Sequence, residues 1–234
     1  MADDEFIDCK CPYCEGDLAF PADSAGTAQA CPACLESVVV PRTAGAPAAK
    51  LPIPITTPRL VVRRLHPDDW KDLLEIMANE TLHRYTETPM LTEEEIIRWL
   101  EEDRGVRLTQ GGQGLYLGLE LSSEPKLMGY VSFGYTDATR QQAGFHLLVN
   151  ERYHRRGYAL ETVAALLQFA FADIGLHRVA ASCDRENLAA RGLLEKAGMR
   201  CEGEFLQDRH ARGAWSDTRH YAILEREWAE RAPA

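Results

Sequence analysis

The sequence predicts a mixed α and β domain preceded by a small metal-stapled module. Three observations carry this. Two Cys-x-x-Cys knuckles fall within the first 34 residues, a Pro/Ala-rich stretch follows them, and from residue 59 strand-like and helix-like periodicities alternate to the end. The boundaries read as 1–40 for the module, 41–55 for the linker and 56–234 for the larger domain. With 234 residues and 45% hydrophobic content, the chain can bury one sizeable core plus an appendage.

The net charge of −10 is shared evenly, −5 over residues 1–58 and −5 over the rest. A phosphate-neutralising surface would need an excess of Lys and Arg, so neither part reads as a nucleic-acid binder. No apolar run is long enough for a membrane helix, and the acidic start MADDEFIDCK is unlike a secretory signal. A cytoplasmic, membrane-free protein is therefore expected.

In the module, CPYC at 11–14 and CPAC at 31–34 are separated by sixteen residues. That spacing can aim Cys11, Cys14, Cys31 and Cys34 at one tetrahedral ion. Disulfide pairing and a thioredoxin-like redox pair are the alternatives. A reducing compartment disfavours the first, and the apolar-poor surroundings disfavour the second. The segment 9–40 resembles a zinc ribbon, which implies one structural zinc, with Cys9 as a spare. A module of this size cannot bury enough apolar surface to fold unaided, so the metal would supply most of its folding free energy. Val38, Val39 and Val40 read as its last strand, and PRTAGAPAAKLPIP as a semi-extended linker.

In the larger domain RLVVRRL (59–65) reads as a strand. Pro67, Asp68 and Asp69 open a helix with Trp70, Leu73, Leu74 and Met77 on one face. Thr92 and Glu95 form a capping box for a second helix carrying Ile96, Ile97 and Leu100. After the loop TQGGQG come three strands, LYLGLEL, LMGYVSFGY and AGFHLLV. From Ala159, residues Leu160, Val163, Ala164, Leu167, Phe171 and Ile174 mark one helical face, which Gly175 is placed to terminate. Arg155 to Tyr158 are thus the turn between a strand and a helix N-terminus. Free N–H groups, the helix dipole, two arginines and a glycine make that turn suited to an anion.

HRRGYA at 154–159, followed by ENLAA and LEKAGM, resembles the GNAT superfamily of acyl-CoA-dependent N-acetyltransferases. Residues 56–228 are similar to the branch holding the ribosomal-protein N-terminal (alanine/serine) acetyltransferases. The resemblance implies a GNAT fold, a mixed and mostly antiparallel sheet flanked by helices, with acetyl-CoA as co-substrate. It implies that backbone groups of Leu147, Leu148 and Val149 pair with the pantetheine arm. His154, Arg155, Arg156, Gly157, Tyr158 and Ala159 would form the pyrophosphate loop. Asn187 would bond the pantetheine from the other side, unless it only caps a helix. Acetyl would pass directly to a primary amine, a backbone N–H near Leu148 stabilising the oxyanion.

The chain departs from the family pattern where an acid or base is sought. Ala190 and Leu194 stand where relatives carry serine and tyrosine, and Ala143 and Gly144 stand in place of a strand carboxylate. His146, Glu161 and Asp208 are the remaining catalytic candidates. Cys183 and Cys201 read as small buried hydrophobes. The implied acceptor is an amine, best a protein or peptide N-terminal α-amine. A small-molecule amine such as a polyamine or antibiotic is an alternative, as is a CoA-binding module that has lost turnover and recruits a protein through its ribbon. The oligomeric state is left open, a homodimer included.

Overall fold

The computed structural model describes residues 6–42, 49–103, 108, 114–137, 141–211 and 213–231. The TQGGQG loop, apart from its last glycine, and the middle of the linker lie outside them. The amino-terminal module holds β1 (Phe6–Lys10) and β2 (Asp17–Pro21) as one hairpin, then β3 (Ala28–Ala30) and β4 (Ser37–Val39). The valine strand is not the last of the module. β5 (Ala49–Lys50) returns from the linker and pairs with the free edge of β4, Val38 opposite Lys50.

The main sheet begins with β6 (Ile55–Thr56) and β7 (Leu60–Arg64). His66 and Asp69 cap a short turn at 67–69 that leads into α1 (Trp70–Met77), and α2 (Glu93–Asp103) follows. Thr92 and Glu95 exchange backbone bonds at 2.8 and 3.4 Å, the expected capping box. α2 buries Ile96 and Leu100, whereas Ile97 is exposed, one position off the apolar face. β8 (Gly114–Leu121), β9 (Glu124–Tyr135) and β10 (Gln142–Val149) form a meander. α3 (Tyr158–Gln168), β11 (Arg178–Asp184), α4 (Leu188–Lys196), β12 (Arg200–Ala211), β13 (Ala214–Leu224) and α5 (Glu225–Ala229) complete the chain. Between α3 and β11 the helix loosens into a π-turn at Phe169–Asp173, and Gly175 ends it at φ 65°.

The eight strands run in the order β12-β13-β11-β10-β9-β8-β7-β6, and every pairing is antiparallel except β10 with β11. This is the mixed, helix-flanked sheet expected. Its two faces carry separate cores. Val163, Leu166 and Leu167 of α3 pack with Val131 and Phe133, while Leu73 and Ile76 of α1 and Ile96 of α2 pack with Tyr130 and Leu148.

The amino-terminal module also enters the first of these cores. Ala28 is fully buried in it, Val39, Leu51 and Ile53 pack against it, and the Tyr135 hydroxyl reaches the Ala28 carbonyl at 3.4 Å. Arg42 lies between two left-handed glycines, Gly26 at φ 79° and Gly175 at φ 65°. A side-chain carbon on Gly175 would meet both this guanidinium and, at 2.9 Å, the Gly26 carbonyl. Glycine is required at this approach on both counts.

Candidate active site

The parallel pairing of β10 with β11 covers only Gln142–Gly144 against Arg178–Ala180. Beyond it the strands part, so the backbone of Leu147, Leu148 and Val149 has β9 on one side and no strand ladder on the other. That opening can accept an extended arm as an added half strand. On the paired side, Gly129 of β9, opposite Val149, allows the close approach of β9 to β10: a side-chain carbon there would collide with the Leu148 carbonyl. Sequence reasoning passed over Gly129, although a glycine inside a strand signals such an approach.

The turn after β10 has two left-handed residues, Arg155 at φ 58° and Gly157 at φ 83°. Gly157 caps α3 without a side-chain acceptor, which leaves the first-turn N–H groups free for an anion. Arg155 and Arg156 are exposed beside it. His154 folds back, its Nε2 donating to the Val149 carbonyl at 2.7 Å, so it fixes the turn to the strand end.

Glu161, one turn into α3, is saturated with donors. Its carboxylate accepts from the Thr57 hydroxyl at 2.6 Å, the Arg59 N–H at 3.0 Å, and Arg59 Nε and Nη2 at 2.6 Å each. Burial would push its pKa up, but these bonds and the Arg59 charge hold it below the usual carboxylate range. Arg59 also donates to the Arg156 carbonyl at 2.9 Å and stacks over the Tyr158 ring at 4.6 Å. The pair thus ties the segment just before β7 to the turn before α3.

His146 lies on β10 with its side chain on the α1/α2 face, two residues before Leu148. Burial, then His83, then Arg209 lower its pKa, so it is neutral at pH 7 and able to take a proton. His83 is fully buried; its Nδ1 donates to the Thr88 carbonyl at 3.0 Å and its Nε2 has no hydrogen-bond partner. Neither His83 nor Arg209 was legible as a neighbour of His146. Next to them an open pocket of about 720 Å³ is lined by Glu80, Thr86, Glu87, Thr88, Met90 and His210, among others. Asp208 sits apart, exposed on β12 and bonded to the Thr218 hydroxyl at 2.6 Å.

On the far side of the opening, Asn187 caps α4, its Oδ1 accepting from the Ala190 N–H at 3.0 Å. Leu194 is buried, as is Cys183, whereas Cys201 is exposed on the edge strand. The edge position of β12 explains that difference from the expected burial of both cysteines.

In the module, the four knuckle sulfurs lie within 4.8 Å of one another, with Cys11–Cys34 at 3.6 Å and Cys14–Cys31 at 3.7 Å. A metal about 2.3 Å from each would set them about 3.8 Å apart, so the group fits a tetrahedral ion. Both knuckles turn through left-handed residues, Glu15 at φ 60° and Leu35 at φ 61°. Cys9 lies outside the cluster, in the module's small core with Ile7, Leu18 and Phe20.

A parted parallel strand pair and, after it, a helix N-terminus without a side-chain cap leave a cleft lined by backbone groups. Residues 59–200 match the family described as acetyltransferase (GNAT) domain. The chain belongs to that family and is an acetyl-CoA-dependent N-acetyltransferase. It is 30% identical to the uncharacterized N-acetyltransferase YnaD of Bacillus subtilis over 175 residues, 74% of this chain and 98% of that one. Two solved structures share its fold. One is the spermidine N-acetyltransferase of Vibrio cholerae in complex with CoA and spermine, at TM-score 0.65 and 19% identity, covering 74% of this chain and 99% of that one. The other is RimL, a ribosomal L7/L12 α-N-protein acetyltransferase in complex with coenzyme A, at 0.63 and 18%, covering 74% and 97%. Among the described residues no helix is long and apolar enough to cross a membrane.

Proposed function

We propose that the protein acetylates the α-amine of a protein or peptide N-terminus, with His146 as general base. Acetyl-CoA would lie along Leu147–Val149, with its pyrophosphate on the 154–159 turn. Asn187, as cap of α4, would contribute its free amide nitrogen from the opposite side. The neutral amine attacks the thioester carbon, its nitrogen gives up a proton to His146, directly or through water, as the C–S bond breaks, and that proton can pass to the departing CoA thiolate. A backbone N–H near Leu148 would carry the oxyanion. The four thiolates of Cys11, Cys14, Cys31 and Cys34 would hold one structural zinc, within a module spanning 1–40 and its added strand β5.

The observation that supports the acceptor assignment is the place of His146 on β10, two residues before Leu148 and on the α1/α2 face, where burial makes its imidazole less basic than usual. A base weakened in this way is matched to an amine that deprotonates easily. At pH 7 an α-amine is neutral in about one molecule in seven, against about one in 2,500 for a lysine side chain. Glu80 and Glu87 in the adjoining pocket would favour an acceptor with basic residues further along its chain. RimL, named for α-N-protein acetylation, offers a precedent within the same fold.

The test compares kcat/KM for a basic peptide with a free N-terminus, the same peptide N-blocked but containing lysine, and spermidine, all at saturating acetyl-CoA. The free α-amine is expected to lead by at least about tenfold, with a rate that falls as salt is added. Preference for the blocked lysine peptide or for spermidine would overturn the acceptor assignment.

A further inference from the structure

The sheet face that carries His146 is built in cross-strand rows. Tyr116 of β8 stands opposite Ser132 of β9, and Ser132 stands opposite His146 of β10. Tyr130 and Leu148, two residues away on β9 and β10, are buried in the core that α1 and α2 fill, and Tyr116 packs against that core. Side chains two apart on a strand share a face, so Tyr116, Ser132 and His146 all rise on this side. Directly opposite residues of an antiparallel pair have their β-carbons about 5 Å apart, which sets the Ser132 hydroxyl beside the imidazole. The far side of the serine is walled by the Tyr116 ring, held edge-on to Trp99 at 4.9 Å. The next row along is Gly114, Gly134 and Gly144, so no side chain of that row crowds the hydroxyl.

Ser132 and His146 are both half-buried, and among the described residues neither side chain has a hydrogen-bond partner. Polar groups held in this way are costly, and two that converge beside an aromatic wall are suited to anchor one bound polar atom. A hydrogen bond to nitrogen is about 2.9 Å long, so a single nitrogen can bond two groups up to about 5.8 Å apart. One amine can thus reach the imidazole and the hydroxyl together.

We infer that Ser132 is a specificity-determining residue: its hydroxyl oxygen accepts a hydrogen bond from the reacting nitrogen and so selects primary over secondary amines. This rests on the placing of the acceptor beside His146 and deepens it by naming the amine class. A neutral primary amine has two N–H hydrogens. One leaves as a proton to His146 when the nitrogen joins the thioester carbon and the C–S bond breaks. The other stays on the product amide, and its bond to Ser132 lasts through the reaction. A neutral secondary amine, such as an N-terminal proline or an N-methylated terminus, has one N–H hydrogen, and the reaction removes it. No hydrogen is then left for the serine.

The test measures kcat/KM at saturating acetyl-CoA for a peptide with N-terminal alanine and for the same peptide with N-methylalanine, in wild type, S132A and S132T, with folding checked by circular dichroism. S132A should lower the alanine rate about tenfold and leave the N-methyl rate within twofold, so the primary-to-secondary ratio narrows about tenfold. S132T keeps a hydroxyl and should restore the alanine rate to within about threefold of wild type. Equal losses for both peptides, or an unchanged alanine rate, would overturn the assignment. So would an N-methyl rate that rises in S132A, since bulk rather than a hydrogen bond would then set the preference. The same ratio is read for lysine against N-methyl-lysine in the N-blocked peptide, so this inference and the α-amine assignment fail separately.

Discussion

Glu161→Ala separates a holding role from a chemical one. The carboxylate accepts from Thr57 and three times from Arg59, and through Arg59 it governs the bond to the Arg156 carbonyl. The Thr57 bond is partly buried and worth about 1.5 kcal/mol. The Arg59 guanidinium is 47% exposed, so solvent screening limits its pairing to about 1 kcal/mol. Stability should drop by about 2.5 kcal/mol, a Tm loss of roughly 5–10 °C for a chain of this size. Without the Arg59 latch the anion turn, with its left-handed Arg155, loses its support, and acetyl-CoA should bind about tenfold more weakly, ~1.4 kcal/mol. Calorimetric titration reads that affinity, and kcat at saturating acetyl-CoA should stay within about threefold of wild type. The pKa of Glu161 is held below its unfolded value, so its stabilisation is full above about pH 4.3 and fades as pH falls through the lower folded value. The Tm gap between wild type and Glu161→Gln should therefore close only in acid. A loss of kcat of about a hundredfold or more with unchanged affinity is the size of an acid–base effect and would refute the reasoning.

Elemental analysis of protein purified without added metal should find one zinc per chain, and Cys31→Ser should lower it sharply; iron, or no metal in folded protein, would remove the zinc assignment. Gly157→Asp places a carboxylate where φ is 83° and the added carbon would lie 3.3 Å from Arg59 Nη2, so acetyl-CoA affinity should fall at least about tenfold by calorimetry.

What could be read in advance was local. The knuckle spacing pointed to which cysteines converge, and helical periodicity after Gly157 located the turn before α3, because both depend on residues a few positions apart. Thr92 with Glu95 is legible for the same reason. Arg209 and Tyr85 are separated by 124 residues, and their meeting depends on where the segment between α1 and α2 lies against β12, which no short pattern encodes. His83 is likewise a lone histidine in a connecting segment until burial and the Thr88 carbonyl give it a tautomer. Asn187 had two readings, a pantetheine ligand or a helix cap; its oxygen makes the cap, and its amide nitrogen is left for the ligand reading. Glu161 could be recognised as a first-turn acid but not as the partner of Thr57 and Arg59, over a hundred residues earlier.

The seating of Arg42 between Gly26 and Gly175 changes what the amino-terminal segment is for the rest of the chain. Fully buried Ala28 and the partly buried Val39, Leu51 and Ile53 belong to the interior that α3 also fills, so this segment is a wall of the enzyme rather than luggage on a strap. A cut at residue 50 would uncover the end of the sheet where β10 and β11 begin. If the four sulfurs hold an ion, its removal would act on the transferase much as a rise in temperature does, loosening the base of α3 while leaving the groups along β10 chemically intact.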